Sequence, residues 1–184
     1  MFRKVILTIV SIMCIILFIS CGKKEKPKEI IYNGSVMLFS DMDVEIIKAI
    51  KTDFESSYKG VVLDYFNNDI NTIKNKIDDS YDLDLPEADV VLSDDINIFN
   101  KLSTNKWLNQ YVSKENKSIV DDYKVNGNDY HVVGIKNGNK YMVAILSNSL
   151  NIDNGKLLID YLLSKKGQEL LVKSGIQTVR KDIK

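Results

Sequence analysis

Three short β-rich runs each lead within a few residues into a helix-patterned stretch, and that repetition leaves this chain few folds to choose from. Ser35-Val36-Met37-Leu38-Phe39 is an apolar run of strand length. Ser40-Asp41-Met42-Asp43 follows it and matches the Ser/Thr-x-x-Asp/Glu signal for a helix start. Ile47, Ile50, Phe54 and Tyr58 then recur at helical spacing, and Gly60 ends the helix. Val61 to Phe66 is a second β-rich run. Asn67-Asn68-Asp69 caps a second helix, with Ile70, Ile73 and Ile77 on one face. Asp89-Val90-Val91-Leu92 makes a third strand, and Ser93-Asp94-Asp95 opens a third helix carrying Ile96 and Phe99. Strands alternating with helices predict a parallel sheet covered on both faces. Right-handed crossovers would place every strand-to-helix turn at one edge of that sheet.

Ligands bind at that edge in open α/β sheets. Two of its turns stand out, and they supply the candidate ligand-binding residues: Ser40 and Asp41 in the first, Ser93 and Asp94 in the third. A helix N-terminus attracts anions through its free N–H groups and its dipole. Here Asp41, Asp43, Asp94 and Asp95 occupy those positions and would repel an added anion. A cation, an amine or a hydroxyl-rich molecule fits better than a phosphate. The competing reading is plain helix capping, for which Ser and Asp are ordinary residues.

After Trp107 and Leu108 the pattern loosens. Two β-like runs, 131–135 and 141–146, then flank Asn137-Gly138, a strong hairpin signal. A helix follows with Leu157, Leu158, Tyr161 and Leu162 on its apolar side. A second, shorter one carries Leu170 and Leu171 and is closed by Gly175, leaving an extended tail over 176–183.

The amino terminus bears on location. Arg3 and Lys4 precede a charge-free apolar run from Val5 to Ile19, which ends in Ser20-Cys21-Gly22. These are the parts of a secretory signal, with a cysteine where bacterial lipoproteins are cleaved and acylated with palmitate-type chains. We therefore expect a lipoprotein signal peptide over 1–20, lipidation at Cys21, a charged tether over 21–33 and one folded domain over 34–184. Phe18 stands where a leucine is usual. The alternative, an uncleaved anchor, is short, because a span needs roughly 20 apolar residues. The full chain has equal numbers of basic and acidic side chains, 25 each. Loss of Arg3 and Lys4 leaves it nearly neutral, so nothing points to nucleic acid. The two cysteines are Cys14, in the signal, and Cys21, so no thiol remains for a disulfide or a cysteine metal site.

The segment from Leu158 to Leu171, with Leu162-Leu163-Ser164-Lys165-Lys166-Gly167-Gln168 at its centre, resembles the closing block of extracellular solute-binding proteins of ABC importers, in their ferric-iron-type branch. Gly175-Ile176 and Val179 to Asp182 continue the likeness. Val36 to Asp41, Asp53 to Tyr58, Val61 to Phe66, Pro86 to Ser93 and Trp107 to Tyr111 are similar to that family's opening segments. The resemblance covers about 35–112 and 141–183. It implies lipid-anchored capture of a small-molecule ligand outside the cytoplasm and delivery to an ABC permease. It also implies two α/β lobes with the ligand between them. The stretch from Tyr111 to Tyr141 is long enough only for a linker and a hairpin. The expected architecture is thus a single periplasmic-binding-protein-like lobe, a mostly parallel sheet flanked by helices, with a hairpin near 130–147. The adjacent tyrosine pair by which iron-binding members hold the metal has no counterpart here, so ferric iron is not carried over.

Catalytic signatures are missing. His131 is the single histidine and lies in an apolar run, as a structural sheet histidine would. No nucleophile elbow, zinc-protease motif, phosphate loop or dinucleotide fingerprint occurs. The reading is a non-enzyme without cofactor or metal, and its oligomeric state stays open. Two functions remain: a solute-capture component related to ABC importers, or a shortened non-transport remnant that acts as a membrane-tethered interaction protein.

Overall fold

The computed structural model describes residues 32–183. The expected signal peptide, Cys21 and most of the tether lie outside them. The elements follow the chain as β1 (Gly34–Ser40), α1 (Val44–Ser57), β2 (Val61–Asn67), α2 (Ile70–Asp82), β3 (Val90–Ser93), α3 (Ile96–Thr104) and β4 (Leu108–Asn109). Two 3₁₀ turns, Asn116–Ser118 and Asp121–Tyr123, precede β5 (His131–Lys136), β6 (Asn139–Leu146), α4 (Ile152–Leu163) and α5 (Lys165–Lys173).

The strands form one six-stranded sheet in the order β2-β1-β3-β6-β4, with β5 also on β6. The three strand-helix units read from the sequence supply its parallel part, β1 pairing with β2 along seven residues and with β3 along three. β6 then inserts antiparallel beside β3, with Val90 opposite Ile145 and Ser93 opposite Met142. The hairpin closes as expected at Asn137-Gly138, both in the left-handed region (φ 53° and 84°), which the right-handed twist of paired strands favours. Residues 110–130 make a short excursion between β4 and β5, not a second lobe.

Successive crossovers run outward from β1 to β2 and back to β3, so α1 and α2 lie on opposite faces of the sheet. α1 buries Ile46, Ile47, Ile50 and Phe54 and meets α4, where the Phe54 and Tyr161 rings sit edge to face at 5.5 Å. α2 and α3 form the other layer, linked by Lys74 to Asp95 and Lys101 to Asp78, each at 2.5 Å. Between the layers lies one continuous core centred on Val36, Leu38, Val90, Leu92, Val143 and Ile145, each no more than 1% exposed. Parallel strands covered on both faces need apolar side chains on both, hence the unbroken apolar runs of β1 and β3.

Candidate functional site

The carboxyl ends of β1 and β3 lie side by side, with Ser40 in register with Leu92. Both serines are fully buried at the last residue of their strands. The helix starts fall later than the sequence signal implied. Asp43 caps α1, accepting from the Glu45 N–H, and Asp95 caps α3, accepting from the Asn97 N–H. Each serine instead folds the turn between strand and helix. Ser40 Oγ accepts from the Met42 N–H (3.1 Å) and donates to the Leu92 carbonyl (2.7 Å). Ser93 Oγ accepts from the Asp95 N–H (3.0 Å) and donates to Asp41 Oδ2 (2.8 Å). The hydroxyls are thus committed to cross-strand tethers. The carboxylates of Asp41 and Asp94 remain as the candidate groups, both residues being only partly buried.

Asp41 is the unusual member. One carboxylate oxygen takes the Ser93 hydroxyl, while Oδ1 is buried and has no hydrogen-bond partner among the described residues. Burial pushes its carboxyl above the ordinary range; the Ser93 hydrogen bond opposes this, and the charges of Asp94 and Asp95 add to it. Asp94 accepts from Asn139 Nδ2 at 3.0 Å, which ties the hairpin to the third turn. Tyr141 lies close by. Its phenol is pushed up by burial and further by the nearby charges of Asp94, Asp41 and Asp43.

Sequence reasoning missed Asn67, Asn139 and Tyr141. Asn67 Nδ2 donates to the carbonyls of Ser40 (2.8 Å) and Met42 (2.7 Å), and so shapes the first turn from β2. Its appearance in a capping triplet concealed that role. Asn139 and Tyr141 reach the site only because β6 pairs with β3, a neighbour 49 to 55 residues earlier by the paired positions. Trp107 lies away from this edge, stacked on Tyr81 at 4.0 Å. His131 is buried with its ring Nε2 2.9 Å from the Tyr111 carbonyl, and burial pushes its pKa below the ordinary value. It is therefore held neutral, donating to that carbonyl.

A cavity of about 530 Å³ adjoins the edge on the hairpin side, reached by Asp94, Asn139 and Lys140 from the strand ends and by Tyr123 and Val125 from the excursion. Its volume is in the roughly 300–1,000 Å³ range of small-molecule sites. Among the described residues no cluster of three His, Cys, Asp or Glu side chains could hold a metal ion, and no helix is long and apolar enough to cross a membrane.

No family model matches the sequence, and no curated protein matches it. Solved structures do match. The substrate-binding protein of an ABC transporter from Agrobacterium tumefaciens superposes with a TM-score of 0.74 at 9% identity, over 89% of this chain and 82% of that one. The periplasmic binding protein AfuA from Actinobacillus pleuropneumoniae, with fructose-6-phosphate bound, gives 0.73 at 14% identity, over 83% and 87%. Iron-bound HitA from Pseudomonas aeruginosa gives 0.71 at 9% identity, over 82% and 88%. At this identity the likeness is one of fold, and the chain has the fold of periplasmic solute-binding proteins of ABC importers.

Proposed function

We propose that this protein is a lipid-anchored solute-capture lobe that works outside the cytoplasm, held to a bacterial membrane through Cys21, and presents a small molecule to an ABC permease. It is a binding protein and not an enzyme. The bound molecule meets the carboxyl ends of β1 and β3, with Asp41 and Asp94 facing it and Ser40 and Ser93 holding the two turns in place.

One observation carries this reading. Asp41 Oδ1 is a buried acceptor with no donor among the described residues, at the edge where α/β folds hold ligands. An unsatisfied buried polar group costs about 1–3 kcal/mol, which a donor from a ligand would recover. The acids around it favour an amine, a cation or a hydroxyl-rich solute over an anion. The likeness in fold to solute-binding proteins supports the same class of function.

The test is calorimetric titration of the full chain in detergent with divalent and ferric ions, sugars, amino acids and polyamines. Saturable binding weakened at least tenfold by Asp41→Asn or Asp94→Asn is expected. If a cooperatively melting protein binds none of these compounds, the capture reading fails and the tethered interaction protein takes its place.

A further inference from the structure

We propose that the excursion over 111–130 does the work of a second lobe, walling the cavity beside Asp94, and that this cavity takes a small zwitterion with an apolar body, of the α-amino-acid class. The inference rests on the capture reading above and specifies its ligand.

The wall is built into the fold. At its start, Tyr111 Oη and Ser113 Oγ donate to Asp160 Oδ1 at 2.9 and 2.6 Å. Arg180, buried, donates to Glu115 Oε2 at 2.7 Å. The Val120 N–H donates to the Val179 carbonyl (2.9 Å), and the Lys181 N–H to the Ser118 carbonyl (3.0 Å). The Tyr111 N–H donates to the Asn128 carbonyl at 3.1 Å and closes the loop on itself. A wall held from α4 and from the tail needs little ordering when a ligand arrives, which lowers the cost of binding. A lone lobe with an open edge would lack that advantage.

The lining sets the ligand class. Ile96, Tyr123, Val125, Tyr130, Val132 and Met142 give the cavity an apolar and aromatic interior. Two acids, Asp94 and Asp122, and two lysines, Lys124 and Lys140, share its lining. Acids and a free lysine in one lining suit a ligand that carries both an ammonium and a carboxylate better than a phosphate. Lys124 is engaged by Asp121 at 2.5 Å. Among the described residues Asp94, Asp122 and Lys140 have no ion-pair partner, and the Lys140 ammonium lies 5.5 Å from the Tyr123 ring. An ammonium group on Asp94, a carboxylate on Lys140 and an apolar side chain against Tyr123 and Val125 would satisfy Asp94, Lys140 and the apolar wall together.

Titration of the full chain with L-phenylalanine and L-leucine tests this, with N-acetyl-phenylalanine amide as the probe that lacks both charges. Saturable binding of the free amino acids is expected, with at least tenfold loss for the blocked probe, for Asp94→Asn and for Val125→Trp, which fills the cavity. Lys140→Gln, at an exposed position, gives a second reading should Val125→Trp melt without cooperativity. Equal affinity for the blocked probe, or amino-acid binding indifferent to Lys140→Gln and Val125→Trp, overturns the assignment. Binding of a metal, sugar or polyamine that Asp41→Asn abolishes and Val125→Trp leaves intact also overturns it, while keeping the capture reading. Absence of binding by every compound removes both.

Discussion

Ser40 and Ser93 look alike in the sequence and behave alike in the structure, each spending its hydroxyl on one backbone N–H of its own turn and one acceptor in the neighbouring strand-turn unit. Their acidic neighbours differ. Asp94 meets Asn139 from the hairpin, whereas Asp41 lies deeper with one oxygen unpaired among the described residues. Asp41 thereby becomes a place where stability is given up at a candidate binding edge. The folded carboxyl holds its proton more tightly than the unfolded chain's, whose value is near 3.8. The stability linked to that proton is fully present below 3.8 and is lost as pH rises through the raised folded value. Asp41→Asn carries no titrating charge and can still accept from Ser93. It should therefore melt like the wild type at low pH and be more stable at neutral pH, by about 1 kcal/mol if relief of burial dominates. Thermal melts of both proteins across that range check the sign, and a variant less stable at neutral pH would show that Asp41 is satisfied as a carboxylate.

Helix starts and turns carry the lesson at the scale of elements. The Ser-x-x-Asp pattern at 40–43 promised a cap at Ser40, yet β1 keeps pairing through Ser40 and the cap falls to Asp43. A local signal offering two capping residues was decided by strand register. The start of the second helix was legible, because Asp69 is both part of the local signal and the observed cap, accepting from the Asn71 and Thr72 N–H groups. The hairpin was legible for the same reason: Asn-Gly is a signal with one outcome. Gly138 has φ 84°, and a Cβ built there would touch nothing within 4 Å. Gly138→Ala should therefore cost only the backbone penalty of a left-handed residue, about 1–2 kcal/mol. A lower urea midpoint with unchanged slope is the expected result. A larger loss would mean that the hairpin also loses its hold on Asp94 through Asn139.

For the whole molecule, the decisive event is the return of β6 to the middle of the sheet, between β3 and β4. It joins the early strand-helix units to the late hairpin and helices in one core, so the described chain should unfold in a single step. The tail closes the assembly through Arg180, whose guanidinium donates to Glu115, to Asp182 and to the Leu163 carbonyl. Arg180→Ala should cost about 2–3 kcal/mol, the range for losing hydrogen bonds from a charged group, and should free the excursion. Faster hydrogen exchange at the amides of Val120 and Lys181 would register it; unchanged exchange would show that the excursion is held without the tail. The sequence by itself determined the strand-helix units, the hairpin and the closing helices, since apolar periodicity and turn chemistry act within a few residues. It also marked Ser40, Asp41, Ser93 and Asp94 as neighbours, because right-handed crossovers leave one edge for such turns. Only the tertiary structure decided that Asn67, Asn139 and Tyr141 join them and that residues 111–130 wall a cavity. Those outcomes depend on which distant strand pairs with β3 and on where Asp160 and Arg180 find their partners. Contacts between residues far apart in the chain leave no periodic trace in one sequence.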